Sequence, residues 1–153
     1  MGRTPEIIKM FGGSTSNIQA LSEAEARNWV DRLAEHPRAW AIEHDKHLLG
    51  EIRLDGVDDR DMRASLAIGL YDPGKLGRGL GREAIRLLLG HAFNALNLHR
   101  IGVRVIAYNV RAIRCYSACG FREEGREREA AFVDGTWYDD VIMGLIAHEF
   151  ASS

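Results

Sequence analysis

Cysteine is nearly absent from this chain. There are two, Cys115 and Cys119, and no Cys/His cluster has the spacing of a zinc site. Four residues apart on an expected helix, the pair shares a face with Cβ atoms about 5–6 Å apart. A disulfide prefers roughly 3.8 Å, so two small packing residues in a reducing compartment are the expectation. Long apolar runs are missing, and so is the basic-then-apolar start of a signal peptide. A cytoplasmic protein with no membrane partner is therefore expected. An excess of one charge is missing too. The net charge is −2 over 153 residues, which argues against bulk electrostatic binding of nucleic acid. Two nucleotide motifs are incomplete. Gly74 and Gly79 have P-loop separation, but Leu80 and Gly81 stand where Lys and Ser/Thr belong. A dinucleotide fingerprint on Gly77 and Gly79 would need glycine in place of Arg82.

What is present is one core's worth of chain, 46% hydrophobic, with a glycine-rich turn at its centre. Gly77, Gly79 and Gly81 alternate with Arg78 and Leu80 between a β-like run ending at Leu70 and a long apolar helix over 81–96. Bare backbone N–H groups at a helix start form an anion site. Upstream, Ser22 opens a capping box with Glu25, and Ala26, Trp29, Val30 and Leu33 follow at helical spacing. Residues 39–44, 48–54 and 63–70 read as strands, with an acidic connection from Asp55 to Asp61. That connection is a solvated loop or a rim that attracts a cationic acceptor. Residues 100–107 alternate as a strand, and Asn109 caps a helix that ends at Gly120. A charged strand over 121–132, the Asp134-Gly135 turn and a strand over 137–146 close the chain as a hairpin. The result is a mixed α/β fold.

Leu76-Gly77-Arg78-Gly79-Leu80-Gly81 resembles the pyrophosphate loop of the GCN5-related N-acetyltransferases (GNAT), written Gln/Arg-x-x-Gly-x-Gly/Ala, with Leu76 in the first place. One helix and one strand later, the run from Asn109 through Ala112 and Tyr116 to Gly120-Phe121 resembles the same family's Asn-x-x-Ala-x-x-x-Tyr-x-x-x-Gly-Phe signature. The stretch from Phe132 to Asp139 with Met143-Gly144 resembles the RimJ/RimL-like subgroup, which acetylates ribosomal-protein N-termini. Together these cover roughly Ser22 to the C-terminus. The resemblance implies a GNAT domain over 22–150, with a mostly antiparallel mixed sheet and helices on both faces. Ahead of it lies a segment, 1–21, expected to be irregular, in which the family's usual first strand and helix are not legible.

The resemblance further implies acetyl-coenzyme A as co-substrate, no metal, and a primary amine as acceptor, a protein N-terminus or a small amine, attacking directly in a ternary complex. Ile68 and Leu70 would pair with the pantetheine arm as an added strand. Leu76, Gly77, Arg78, Gly79, Leu80 and Gly81 would hold the diphosphate, with Arg78 and Arg82 adding charge or standing solvated. Asn109 and Ala112 would flank the arm, Asn109 also serving as the helix cap. Tyr116 would bind the coenzyme and protonate the leaving thiolate. Many relatives carry a glutamate base where this chain has Ser65, leaving Glu51 and Asp139 as candidate bases beside a simple water relay. Two other readings stay open. One is a catalytically degenerate acyl-coenzyme A sensor or scaffold; the other is a different nucleotide-phosphate enzyme. A homodimer covering an open sheet edge is one partner the sequence leaves open.

Overall fold

The computed structural model describes residues 4–16, 18 and 22–151. Six strands form one sheet: β1 (Ala39–His44), β2 (His47–Asp58), β3 (Arg63–Leu70), β4 (Arg100–Ile106), β5 (Arg122–Val133) and β6 (Thr136–Ile146). Their spatial order is β1-β2-β3-β4-β6-β5. Every neighbouring pair is antiparallel except β3 and β4. A parallel pair needs a crossover, and here it is α3 (Leu80–Gly90), continued by a wider helical turn over His91–Ala95. The single helix expected over 81–96 is thus two segments. The mixed, mostly antiparallel sheet is the one expected.

Strand alternation sorts the side chains of β2. Ile52 and Leu54 join the core with Ile85, Leu88 and Leu89 of α3. Glu51, Arg53 and Asp55 alternate with them, and here Asp55 meets His36 at the end of α2 (Glu23–Glu35), with Nε2 to Oδ1 at 3.0 Å. Helices therefore cover both faces. Helix α4 (Val110–Ala118) adds Tyr116 to the core beside α3, with Cys119 just beyond its end, and α5 (Ala147–Ala151) ends the described chain. Ser22 caps α2 with the capping box expected of it.

Two expectations need correction. The acidic stretch from Asp55 is not all loop: β2 runs on to Asp58, with Asp55 opposite Ser65. Arg53 holds Asp55 by Nε at 3.0 Å, which lets a carboxylate sit in the ladder. The described part of the segment ahead of Ser22 is not all irregular either. It contains α1 (Pro5–Met10), in which Thr4 Oγ1 accepts from Ile7 N at 3.3 Å and Pro5 takes the first helical position. The Tyr108 hydroxyl donates to Lys9 O, Asn109 Nδ2 donates to Met10 O at 3.1 Å, and Arg111 pairs with Glu6 at 3.1 Å. These bonds fasten α1 to the loop between β4 and α4. Asn17 of the expected N-terminal loop lies outside the described residues.

Leu89, Ile101, Val141 and Leu145 are wholly enclosed. Leu89→Ala leaves a hole between α3 and the sheet, and should cost ~2–5 kcal/mol. Urea unfolding would read this as a lower midpoint at unchanged slope.

Candidate active site

The parallel pairing of β3 with β4 covers three residue pairs only: Arg63 with Arg100, Ala64 with Ile101 and Ser65 with Gly102. Beyond Ser65 the two strands part. Ile68 and Leu70 of β3 stay paired to Ile52 and Gly50 of β2 but have no ladder partner on β4. The gap opens into a cavity of about 630 Å³, walled by the ends of β3 and β4, the glycine loop and the inner side of α4.

Local sequence sets the loop. After β3, Asp72 Oδ1 accepts from Gly74 N at 2.9 Å and Pro73 starts a single tight turn through Lys75. Gly77 and Gly79 then take φ of +75° and +81°, where a side chain is strained, and open space lies where each Cβ would stand. Gly79 is the N-cap of α3 and offers no side-chain cap. The first N–H groups of α3 have no partner within the helix, so an anion in the open space can take them. Lys75, Arg82 and Arg114 also line the cavity and make no ion pair among the described residues. Arg111 lines it while held by Glu6.

Of the residues singled out from sequence, Ile68, Leu70, Leu76, Gly77, Gly79, Gly81, Asn109, Ala112 and Tyr116 line this cavity. Arg78 is exposed outside its wall, and Leu80 turns to a smaller cavity between β1 and α3. The Asn109 amide is engaged at both ends: Oδ1 accepts from Ala112 N at 3.1 Å, while Nδ2 is the donor to Met10 O. It caps α4 and tethers α1.

Tyr116 is 6% exposed and packs edge-on against Phe121. Burial, and then the neighbouring Cys115 and Cys119, push its pKa above the usual phenol range. It therefore stays protonated at neutral pH and keeps a proton it can donate.

The two candidate bases sit apart from the cavity wall. Glu51 is the one buried charged residue among those described, at 5% exposure. Its Oε1 accepts from Arg53 Nη1 at 3.0 Å, while Oε2 has no hydrogen-bond partner. Burial holds its pKa above 4.5, with the Tyr71 hydroxyl and Arg53 opposing. Tyr71 lies against Glu51 without meeting Oε2 at bonding geometry. In turn, Phe11, which lines the cavity, contacts Tyr71 at a centroid distance of 6.3 Å. Glu51 is thus one ring behind the wall. Asp139 accepts from Glu129 N at 2.9 Å and brackets an irregularity in β5. The neighbouring Asp140 faces the cavity instead, 3.6 Å from Arg104. Sequence reasoning missed Tyr71, Phe11 and Asp140. The one available signal was an aromatic placed directly after a strand end, at Tyr71.

A bare glycine loop at a helix start, a free strand edge and a buried tyrosine thus meet at one cavity, an arrangement that suits an acyl-carrier-dependent transferase. A model of the acetyltransferase (GNAT) domain matches residues 2–122, and the chain belongs to that family. It is similar to the spermidine N(1)-acetyltransferase of Vibrio cholerae, 34% identical over 69% of this chain and 60% of the relative, so it spans less than two thirds of that enzyme. It is also similar to a putative ribosomal N-acetyltransferase, YdaF, of Bacillus subtilis, 28% identical over 92% of this chain and 76% of the relative. The crystal structure of spermidine N-acetyltransferase from Vibrio cholerae in complex with CoA and spermine superposes with a TM-score of 0.78. It is 25% identical and covers 95% of this chain and 85% of that one. The bare loop and free cations fit the diphosphate of such a coenzyme.

Gly79→Val forces a branched side chain into a left-handed position and fills the cradle. Coenzyme A affinity by calorimetry should fall at least about tenfold, with the far-UV spectrum unchanged.

Proposed function

We propose that this chain transfers the acetyl group of acetyl-coenzyme A to a primary amine by direct attack in a ternary complex. The parted β3 and β4, with the bare loop at one end and Tyr116 in the wall, are the observation that carries this reading. The coenzyme supplies a thioester whose acyl carbon the amine attacks. The amides around Gly77 and Gly79 bind its diphosphate, with Lys75, Arg82 and Arg114 balancing the charge. The free edge of β3 at Ile68 and Leu70 orients an extended amide-bearing arm by strand addition. Tyr116 holds a proton for the departing sulfur.

Glu51 is the base of this reading, since its Oε2 is unpartnered and Asp139 is spent on Glu129. Tyr71 and Phe11 stand between Glu51 and the cavity, so the amine proton reaches it past those rings or through water. The acceptor is a protein N-terminus or a small amine. The RimJ/RimL-like ending of the chain and the name of its Bacillus relative support the first, and the spermidine enzymes support the second. A coenzyme-binding scaffold without turnover is favoured by one observation: exposed Ser65 stands where the strands part, and the Asp55 opposite it is engaged by Arg53 and His36.

Free-thiol release from acetyl-coenzyme A, across N-terminal peptides and small amines, separates the two readings: turnover supports the enzyme, and binding without turnover the scaffold. Tyr116→Phe should lower kcat about 10²-fold with little change in KM. A base must be ionised, so the rate should fall as pH drops through the raised Glu51 pKa, above 4.5. Glu51→Gln should flatten that acid limb, and a limb that persists in the variant rules Glu51 out.

A further inference from the structure

The two cysteines do more than pack. Cys115 lines the large cavity beside Arg82 and Arg114, and Cys119 lies behind it, 4% exposed. The Cys119 thiol donates to Arg82 O at 3.7 Å. No other cysteine exists in the chain.

We infer that Cys115 is a thiolation site for small anionic disulfides, and that its modification closes the cavity to the coenzyme. Three observations carry this. The sulfur faces an open cavity large enough for a tripeptide thiol. A second thiol, Cys119, lies one helical turn behind it. Two cations without carboxylate partners, Arg82 and Arg114, line the same wall and suit a ligand bearing carboxylates. The hydrogen bond from Cys119, and then Arg82, lower the Cys115 pKa against the opposing pull of burial, and Cys119 is pushed up in return.

The step is thiol–disulfide exchange. The Cys115 thiolate attacks one sulfur of the disulfide, a new S–S bond forms as the old one breaks, and the second half leaves as a thiolate. That thiolate takes up a proton equivalent to the one Cys115 lost. Cys119 cannot readily resolve the adduct, because residues four apart on a helix hold their Cβ atoms about 5–6 Å apart, too far for an unstrained bridge. The adduct therefore persists until an external thiol removes it. The closing of the cavity rests on the coenzyme reading above, whereas the modification itself does not.

The test is to incubate the full chain with oxidised glutathione, measure intact mass, and titrate coenzyme A before and after. One glutathione per chain is expected, located on Cys115 by peptide mapping and absent from Cys115→Ser. Coenzyme A affinity should drop at least about tenfold and return with dithiothreitol, while treatment should leave the affinity of Cys115→Ser where it was. Cys119→Ala should move the pH midpoint of labelling upward. No adduct, an adduct on Cys119, or an adduct that leaves coenzyme affinity intact would each overturn the inference. If untreated protein fails to bind coenzyme A, the coenzyme reading falls and the gating with it, while the adduct is still read by mass.

Discussion

Three residue pairs hold β3 to β4, and then the sheet divides. Buried backbone N–H and C=O groups need partners, so an interior gap between strands is costly unless something fills it. The gap at Ile68 and Leu70 is one such place, and the rest of the molecule is arranged around it. The parallel crossover through α3 sets the helix start, with its unpaired amides, at the end of the gap. Because β4 leads directly to Asn109, α4 lies along the same opening and brings Tyr116 and Cys115 into its wall. One topological choice thus brings an extended edge, unpaired helix-start amides and a buried tyrosine to one cavity.

The N-terminal segment completes the enclosure. Helix α1 is short, and six residues form no stable helix alone. It holds its place through bonds to Tyr108, Asn109 and Arg111. Beyond it, Ser14 and Thr15 donate to Asp134 at the β5–β6 turn, the Ser14 hydroxyl at 2.5 Å and the Thr15 hydroxyl at 2.8 Å. These contacts carry Phe11 and Gly12 to the rim of the cavity. One rim of the cavity is therefore built from a segment whose composition reads as loop.

The parts legible in sequence were those fixed by local chemistry. Gly77 and Gly79 announce a left-handed loop because few other residues tolerate one. Asn109 announces a cap because its side chain can bond the amide three residues on. Tyr116 follows from helical spacing after that cap. The parts not legible depend on register and on distant pairing. Asp139 and Asp140 are adjacent, and strand alternation sends one to the β5 backbone and the other to the cavity; sequence cannot say which. Glu51 meets Tyr71 only because Glu51 is opposite Gly69, and an added Cβ at Gly69 would come within 2.5 Å of the Tyr71 hydroxyl. Leu80 belongs to the loop motif, yet the turn of the helix carries its side chain away from the large cavity to the smaller one between β1 and α3. For α1, the cue was present in Thr4-Pro5 but short, with a single buried residue, Ile7, behind it.

The central claim is that backbone amides at the start of α3 grip a diphosphate while the acyl-bearing arm lies along the free edge of β3. A crystal structure of the full chain with coenzyme A tests it most directly. The account predicts diphosphate oxygens within hydrogen-bond distance of amides between Gly77 and Arg82, and the arm bonded to backbone groups near Ile68 and Leu70. A coenzyme lying in the smaller cavity between β1 and α3, or held only by side chains with the loop amides free, would contradict it.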